Sequence, residues 1–126
     1  MIKILVIDDK KSLSALIAQF LGKTYDVTTR ENGLTALKWL QESNMPDLII
    51  TDLEMPEMGG LEFIRKTKDS GFFSDIPIMV LSCRDSSADR IECLKEGAED
   101  FMVKPFNPEE LEIRIENILK KTTSKI

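Results

Sequence analysis

A fivefold alternation between short apolar runs and amphipathic stretches constrains this chain more than any other feature. Ile2–Ile7, Leu48–Thr51 and Ile76–Ser82 are nearly continuous runs rich in Ile and Val. Runs of that length suit strands buried on both faces of a parallel sheet. Tyr25–Thr29 is more polar and reads as an edge strand, with Glu99–Val103 as a fifth strand at the other edge. Between these runs the spacing becomes helical. Leu13, Leu16, Ile17, Phe20 and Leu21 follow one helix face, and Gly22 stops it. Asn32 caps a second helix carrying Leu34, Leu37 and Leu40, and Gly60 opens a third with Leu61 and Ile64 inward. Ala88, Ile91 and Leu94 lie on a fourth, closed by Gly97. Asn107-Pro108-Glu109-Glu110 combines a cap, a first-position proline and an acidic first turn. Leu111, Ile115, Ile118 and Leu119 then form the inner face of a fifth helix. Five strands alternating with five helices predict an α/β fold, a (βα)5 doubly wound, five-stranded parallel sheet.

Composition excludes several classes of function. A length of 126 residues fits one domain, predicted to span residues 1–121, with a patternless tail or start of a linker at 122–126. No apolar run approaches the ~20 residues that span a bilayer, and Met1–Ile7 ends at Asp8-Asp9 with no cleavage signal. The expectation is a soluble, cytoplasmic protein with no membrane partner. A net charge of −5 makes this domain alone a poor nucleic-acid binder. The sequence has no histidine, which removes histidine acid–base catalysis, histidine metal ligation and Ser-His-Asp triads. Its two cysteines, Cys83 and Cys93, form neither a zinc pattern nor a disulfide framework. Chemistry here must run on carboxylates, hydroxyls and lysine.

Those groups fall in one place. Ligands of open parallel sheets bind in the crevice at the carboxyl ends of the strands. Asp8 and Asp9 follow the first strand, Asp52 ends the third, Ser82 ends the fourth and Lys104 follows the fifth. Each alone reads more simply as a turn, a cap or a solvated side chain. All four at successive strand ends are hard to explain that way. Converging carboxylates repel by about 4 kcal/mol per pair at ~4 Å and an effective dielectric near 20. A divalent cation removes that cost, and hard oxygen donors select Mg²⁺, with Mn²⁺ as the alternative. Carboxylates, a hard cation, a lysine and a hydroxyl suit binding or transfer of a phosphoryl group.

The segments Ile4–Asp9, Pro46–Gly60, Ile78–Ser82 and Gly97–Phe106 resemble, in order and spacing, the receiver domain of bacterial two-component response regulators. The resemblance covers residues 2 to about 120. It implies a flavodoxin/CheY-like strand order, 2-1-3-4-5. It also implies that Asp52 takes a phosphoryl group from a sensor histidine kinase or phosphotransfer protein. Asp9 would bind Mg²⁺ directly, Asp8 through water, and Asp52 and the backbone carbonyl of Glu54 would complete the protein ligands. Ser82 would hydrogen-bond the phosphoryl group, Lys104 would pair with it, and Pro105 would follow in a cis peptide. Ser82 and Phe101 would be the switch residues, and the changed surface would comprise the fourth helix, fifth strand and fifth helix. Such a domain is not an enzyme beyond its own phosphorylation and dephosphorylation.

The chain departs from the family at Cys83, where Ala or Gly is usual and a larger side chain narrows the crevice. Phe101 replaces the commoner Tyr. Arg90, Asp100, Glu110 and Arg114 match charged positions of the dimer face in the OmpR/PhoB subfamily, and Ile91, Leu94 and Ile113 match its apolar patch. That resemblance implies a homodimer on phosphorylation and a parent that regulates transcription through a DNA-binding domain absent from this chain. The alternatives are a stand-alone single-domain regulator or a phosphorylation-independent interaction module. A haloacid-dehalogenase-type phosphatase would carry its D-x-D after the first strand, and a flavodoxin would not place Asp8-Asp9 beside a flavin phosphate.

Overall fold

The structure, a computed structural model, describes residues 1–84 and 86–123. Five parallel strands lie in the order β2-β1-β3-β4-β5, as the alternation and the resemblance predict. The strands are β1 (Lys3–Ile7), β2 (Asp26–Arg30), β3 (Leu48–Thr51), β4 (Ile78–Ser82) and β5 (Asp100–Val103). The helices are α1 (Lys11–Leu21), α2 (Gly33–Gln41), α3 (Gly60–Asp69), α4 (Ser87–Lys95) and α5 (Pro108–Thr123). Helix α5 thus runs beyond the predicted boundary at residue 121, and residues 124–126 of the expected tail lie outside the described residues. None of the described helices is long and apolar enough to cross a membrane.

The pleat divides the apolar residues between two layers. Ile4 and Val6 of β1, Leu48 and Ile50 of β3, and Met79 and Leu81 of β4 pack against Ile17 and Leu21 of α1 and Leu111, Ile115 and Ile118 of α5. The alternate residues Leu5, Ile7, Ile49, Ile78 and Val80 pack against Ala36 and Leu40 of α2, Phe63 and Ile64 of α3 and Cys93 of α4. Central strands are therefore apolar except for Lys3, Thr51 and Ser82 at their ends, while β2, at the edge, is nowhere fully buried. Each fully buried Leu, Ile or Phe contributes about 1.5–3 kcal/mol.

Side chains cap three helices. Asn32 Oδ1 accepts from Thr35 N–H at 2.9 Å, Ser86 Oγ from Asp89 N–H at 3.2 Å, and Asn107 Oδ1 from Glu109 N–H at 2.8 Å. Two helix faces are narrower than the leucine spacing predicts. In α1 the buried positions are Ser14, Ile17 and Leu21, and in α2 they are Gly33, Ala36 and Leu40. Leu16 and Leu34 are exposed instead. Each sits about 100° around its helix from a buried neighbour, outside the contact stripe. In α3 Ile64 is fully buried as predicted, together with Phe63 and Thr67, while Leu61 is only partly buried.

Register decides what emerges at the carboxyl edge. Ile7 pairs with Thr51, and Ser82 pairs with Val103. Pairing extends one residue further, with Asp52 N–H donating to Ile7 O at 2.9 Å and Lys104 N–H to Ser82 O at 2.8 Å. Asp8, Asp52, Ser82 and Lys104 consequently leave adjacent strands at one level.

Candidate functional site

Asp8 and Asp52 are buried, and Asp9 is exposed. One carboxylate oxygen from each lies within 4.8 Å of the other two. Both buried carboxylates are oriented by backbone. Asp8 Oδ1 accepts from Lys10 N–H at 2.9 Å, and Asp52 Oδ1 accepts from Leu53 N–H at 2.7 Å. Thr51 Oγ1–H donates to Asp52 O at 2.8 Å and holds the strand end from beneath. Gly60, at the start of α3, packs against the same carbonyl so closely that a Cβ there would lie 2.1 Å from it. Asp52 is therefore gripped by the end of β3 on one side and by α3 on the other.

Lys104 is the counter-charge. Its Nζ lies 2.7 Å from Asp8 Oδ2 and 3.4 Å from Asp52 Oδ2, and its side chain is nearly buried. The Lys104–Pro105 peptide bond is cis. Burial pushes the Asp52 carboxyl above its usual range and the Asp8 charge adds to this, against the opposing effects of Lys104 and Leu53 N–H. Burial works to lower the Lys104 ammonium, and its bonds to Asp8 and Asp52 outweigh it, leaving the group above its ordinary value. Lys104 pairs with two of the three carboxylates, so a net negative charge remains on the cluster. Hard oxygen donors this close, and under-neutralised, fit a divalent cation of the Mg²⁺ type.

Ser82, at the end of β4, is buried, and its Oγ accepts from Arg84 N–H at 3.1 Å. Phe101 is buried beside β4, with the Arg90 guanidinium 5.7 Å from its ring centroid. Glu54 lies in the loop after Asp52, its side chain exposed and ion-paired with Arg84. The surface residues stand apart from the crevice. Ile91, Leu94 and Ile113 are exposed at 52%, 46% and 50%. Arg114 is engaged within the chain, with Asp100 at 2.8 Å and Glu110 at 2.9 Å. Sequence reasoning passed over Arg84, Thr51 and Gly60. A signal existed for Arg84, because Glu54 and Arg84 carry opposite charges within three residues of the ends of neighbouring strands.

A buried aspartate at the end of the third of five parallel strands, flanked by a carboxylate pair and a lysine, is the arrangement of a five-stranded α/β domain with an acidic crevice at its carboxyl edge. Residues 4–116 match the family model of the response regulator receiver domain, and the chain belongs to that family. A histidine kinase of Formosa agariphila is 42% identical over 117 residues, which are 93% of this chain and 8% of that protein. The alkaline phosphatase synthesis transcriptional regulatory protein PhoP of Bacillus subtilis is 36% identical over 121 residues, 95% of this chain and 49% of PhoP. The chain thus spans about half the length of PhoP and a small part of the kinase. A response regulator receiver domain protein of Clostridium thermocellum superposes with a TM-score of 0.91 at 27% identity, covering 100% of both chains. Receiver domains belong to two-component systems, bind Mg²⁺ at an acidic pocket, and pair with histidine kinases or phosphotransfer proteins.

Proposed function

We propose that Asp52 accepts a phosphoryl group from a phosphohistidine of a sensor kinase or phosphotransfer protein. The observation that carries this reading is the Asp52 carboxylate itself, 7% exposed at a strand end, with two further carboxylates and the Lys104 ammonium converging on it. An Asp52 Oδ attacks phosphorus, a P–O bond forms, and the donor P–N bond breaks. The imidazole leaves with the electron pair and takes a proton from solvent. Asp8, Asp9 and Asp52 would hold Mg²⁺, with the Glu54 carbonyl as the further ligand that the family resemblance implies. Bound there, the cation neutralises phosphoryl oxygens and the repulsion among the carboxylates. Lys104 Nζ pairs with one phosphoryl oxygen, and the Ser82 hydroxyl donates to another. Displacement of Ser82 and Phe101 then alters the face formed by α4, β5 and α5, which carries the exposed Ile91, Leu94 and Ile113. A DNA-binding output outside this chain reads that face, in keeping with the similarity to PhoP, a transcriptional regulatory protein.

The test is uptake of one base-labile phosphoryl group from acetyl phosphate in the presence of Mg²⁺, read by intact mass. Asp52→Asn should abolish it, and Asp9→Ala should weaken Mg²⁺ binding. A mass shift persisting at full size in Asp52→Asn refutes the assignment.

A further inference from the structure

Helix α4 leaves two apolar side chains in water and is tied to the rest of the protein by partly exposed ion pairs. Cys93 is its one buried residue, while Ile91 and Leu94 are exposed. From α3, Arg65 reaches Glu92 of α4 and Glu96 just past its end, each at 3.1 Å. From the loop between β4 and α4, Arg84 Nη1 lies 3.5 Å from Asp89 in the first turn of the helix. Arg84 Nε is bonded to Glu54 Oε1, in the loop that follows Asp52. The backbone N–H of the same residue donates to Ser82 Oγ. Arg84 therefore touches the hydroxyl at the end of β4, the Asp52 loop and the start of α4 together.

We propose that Arg84 is a latch that pins α4 to the Asp52 loop while the site is empty, and that a phosphoryl group on Asp52 opens it. The latch rests on the reading of Asp52 as the phosphoryl acceptor. Its opening follows from competition for one guanidinium. A phosphoryl group adds about one negative charge and several strong acceptor oxygens close to Glu54, and guanidinium pairs with such oxygens in bidentate fashion. The Ser82 hydroxyl, donating to the same group, carries the Arg84 N–H with it. Both effects draw Arg84 away from Asp89. The holding contacts are weak enough to yield, since an exposed ion pair shifts an equilibrium by roughly 1.5- to 5-fold. With one thiol as its only buried anchor, α4 then moves as a unit. Arg84 is a positioning residue, holding α4 through Asp89 and linked to the site through Ser82 and Glu54.

Cys93 supplies the readout. Burial, with Asp89 and Glu92 nearby, pushes its thiol up to about 11, so it alkylates slowly until α4 lifts. Iodoacetamide labelling of Cys93 is followed by peptide mass spectrometry, which counts the exposed Cys83 separately. Wild type, Arg84→Ala and Arg65→Ala are compared in Mg²⁺ alone and in Mg²⁺ with beryllofluoride, whose occupancy is read by fluorine NMR. Wild-type labelling should rise several-fold with beryllofluoride. Arg84→Ala should label about 2- to 10-fold faster than wild type in Mg²⁺ alone, and its response to beryllofluoride should fall toward none. Arg65→Ala loosens α4 without any link to the site, so it should speed labelling in both states and keep the wild-type ratio. An unchanged wild-type rate with beryllofluoride bound overturns the latch, as does an Arg84→Ala ratio equal to that of wild type. Failure of wild type to bind beryllofluoride and to take up phosphoryl from acetyl phosphate overturns the acceptor reading, and the latch with it.

Discussion

Replacing Asp52 by Asn should stabilise the cation-free fold while removing its chemistry. The substitution keeps the shape of the side chain and the Oδ1 acceptor that meets Leu53 N–H at 2.7 Å. What it removes is one charge from a cluster whose oxygens lie within 4.8 Å of each other. At that separation and an effective dielectric near 20, each neighbouring carboxylate repels Asp52 by about 3.5 kcal/mol. Lys104, 3.4 Å away, returns about 5 kcal/mol by the same reckoning. Asp9 is exposed, so water screens its share. Repulsion exceeds attraction by about 2 kcal/mol before that screening, and the cost of burying the charge adds to it, which places the gain at about 1–3 kcal/mol. For a chain of this size that is a Tm rise on the order of 5–10 °C. The pH dependence has a definite sign. The Asp52 carboxyl is held above its ordinary value, first by burial and then by Asp8, against Lys104 and Leu53 N–H. The fold therefore favours the neutral acid, and that favour is present below the unfolded value near 3.9 and lost as pH rises through the folded one. The advantage of Asn over Asp should be full at neutral pH and fade as the pH falls toward about 4. Thermal unfolding in chelator, followed by circular dichroism across that range, measures both. Added Mg²⁺ should raise the wild-type Tm more than that of the variant. A variant that melts at or below wild type at neutral pH, or a gain that ignores pH, would refute the reasoning.

Gly60→Ala places a Cβ 2.1 Å from Asp52 O. It should cost about 1–3 kcal/mol in urea unfolding and slow phosphoryl uptake, and wild-type values for both would remove α3 from the account of the site. The exposed Ile91, Leu94 and Ile113 should form the centre of a symmetric dimer once the site is filled. Arg114 already pairs with Asp100 and Glu110 inside the chain, so cross-subunit pairs replace existing bonds and contribute only about 0–1 kcal/mol each. Sedimentation with beryllofluoride should show dimers for wild type and monomers for Ile91→Asp, and equal dimerisation of the two would exclude this face.

The fold was legible because two periodicities carry it. Unbroken apolar runs at β1, β3 and β4 require burial on both faces, and only helices on both sides of a parallel sheet supply that. The acidic and basic strand-end residues were legible for the same reason, since strand ends can be counted before contacts are known. Leu16 and Leu34 misled because hydrophobicity alone does not say how wide a contact stripe is; small Ser14, Gly33 and Ala36 occupy the close-packed positions. Gly60 and Thr51 were missed because steric fit and a hydroxyl-to-carbonyl bond leave no periodic trace. Arg84 was missed because a charged residue in a loop reads as solvated until its partners are known. Which strand-end residues meet in the crevice was therefore open to sequence, while the parts that grip Asp52 and tie it to α4 required coordinates.

If Asp52 is the phosphoryl acceptor proposed above, the division of Lys104 between its two partners would couple the phosphoryl group to a cation in this crevice. In the resting chain its ammonium sits closer to Asp8 than to Asp52, at 2.7 Å against 3.4 Å. A phosphoryl group on Asp52 needs that ammonium, and moving it leaves Asp8 buried and unpaired, which is costly. A cation held by Asp8 and Asp9 removes that cost by taking over the charge that Lys104 gives up. Lys104 is then released toward Asp52 without leaving an uncompensated carboxylate behind. The coupling is reciprocal, so whatever draws Lys104 from Asp8 strengthens cation binding by the same factor that the cation strengthens capture of the phosphoryl group. One lysine shared by two carboxylates on neighbouring strands would by itself make the two proposed binding events cooperative.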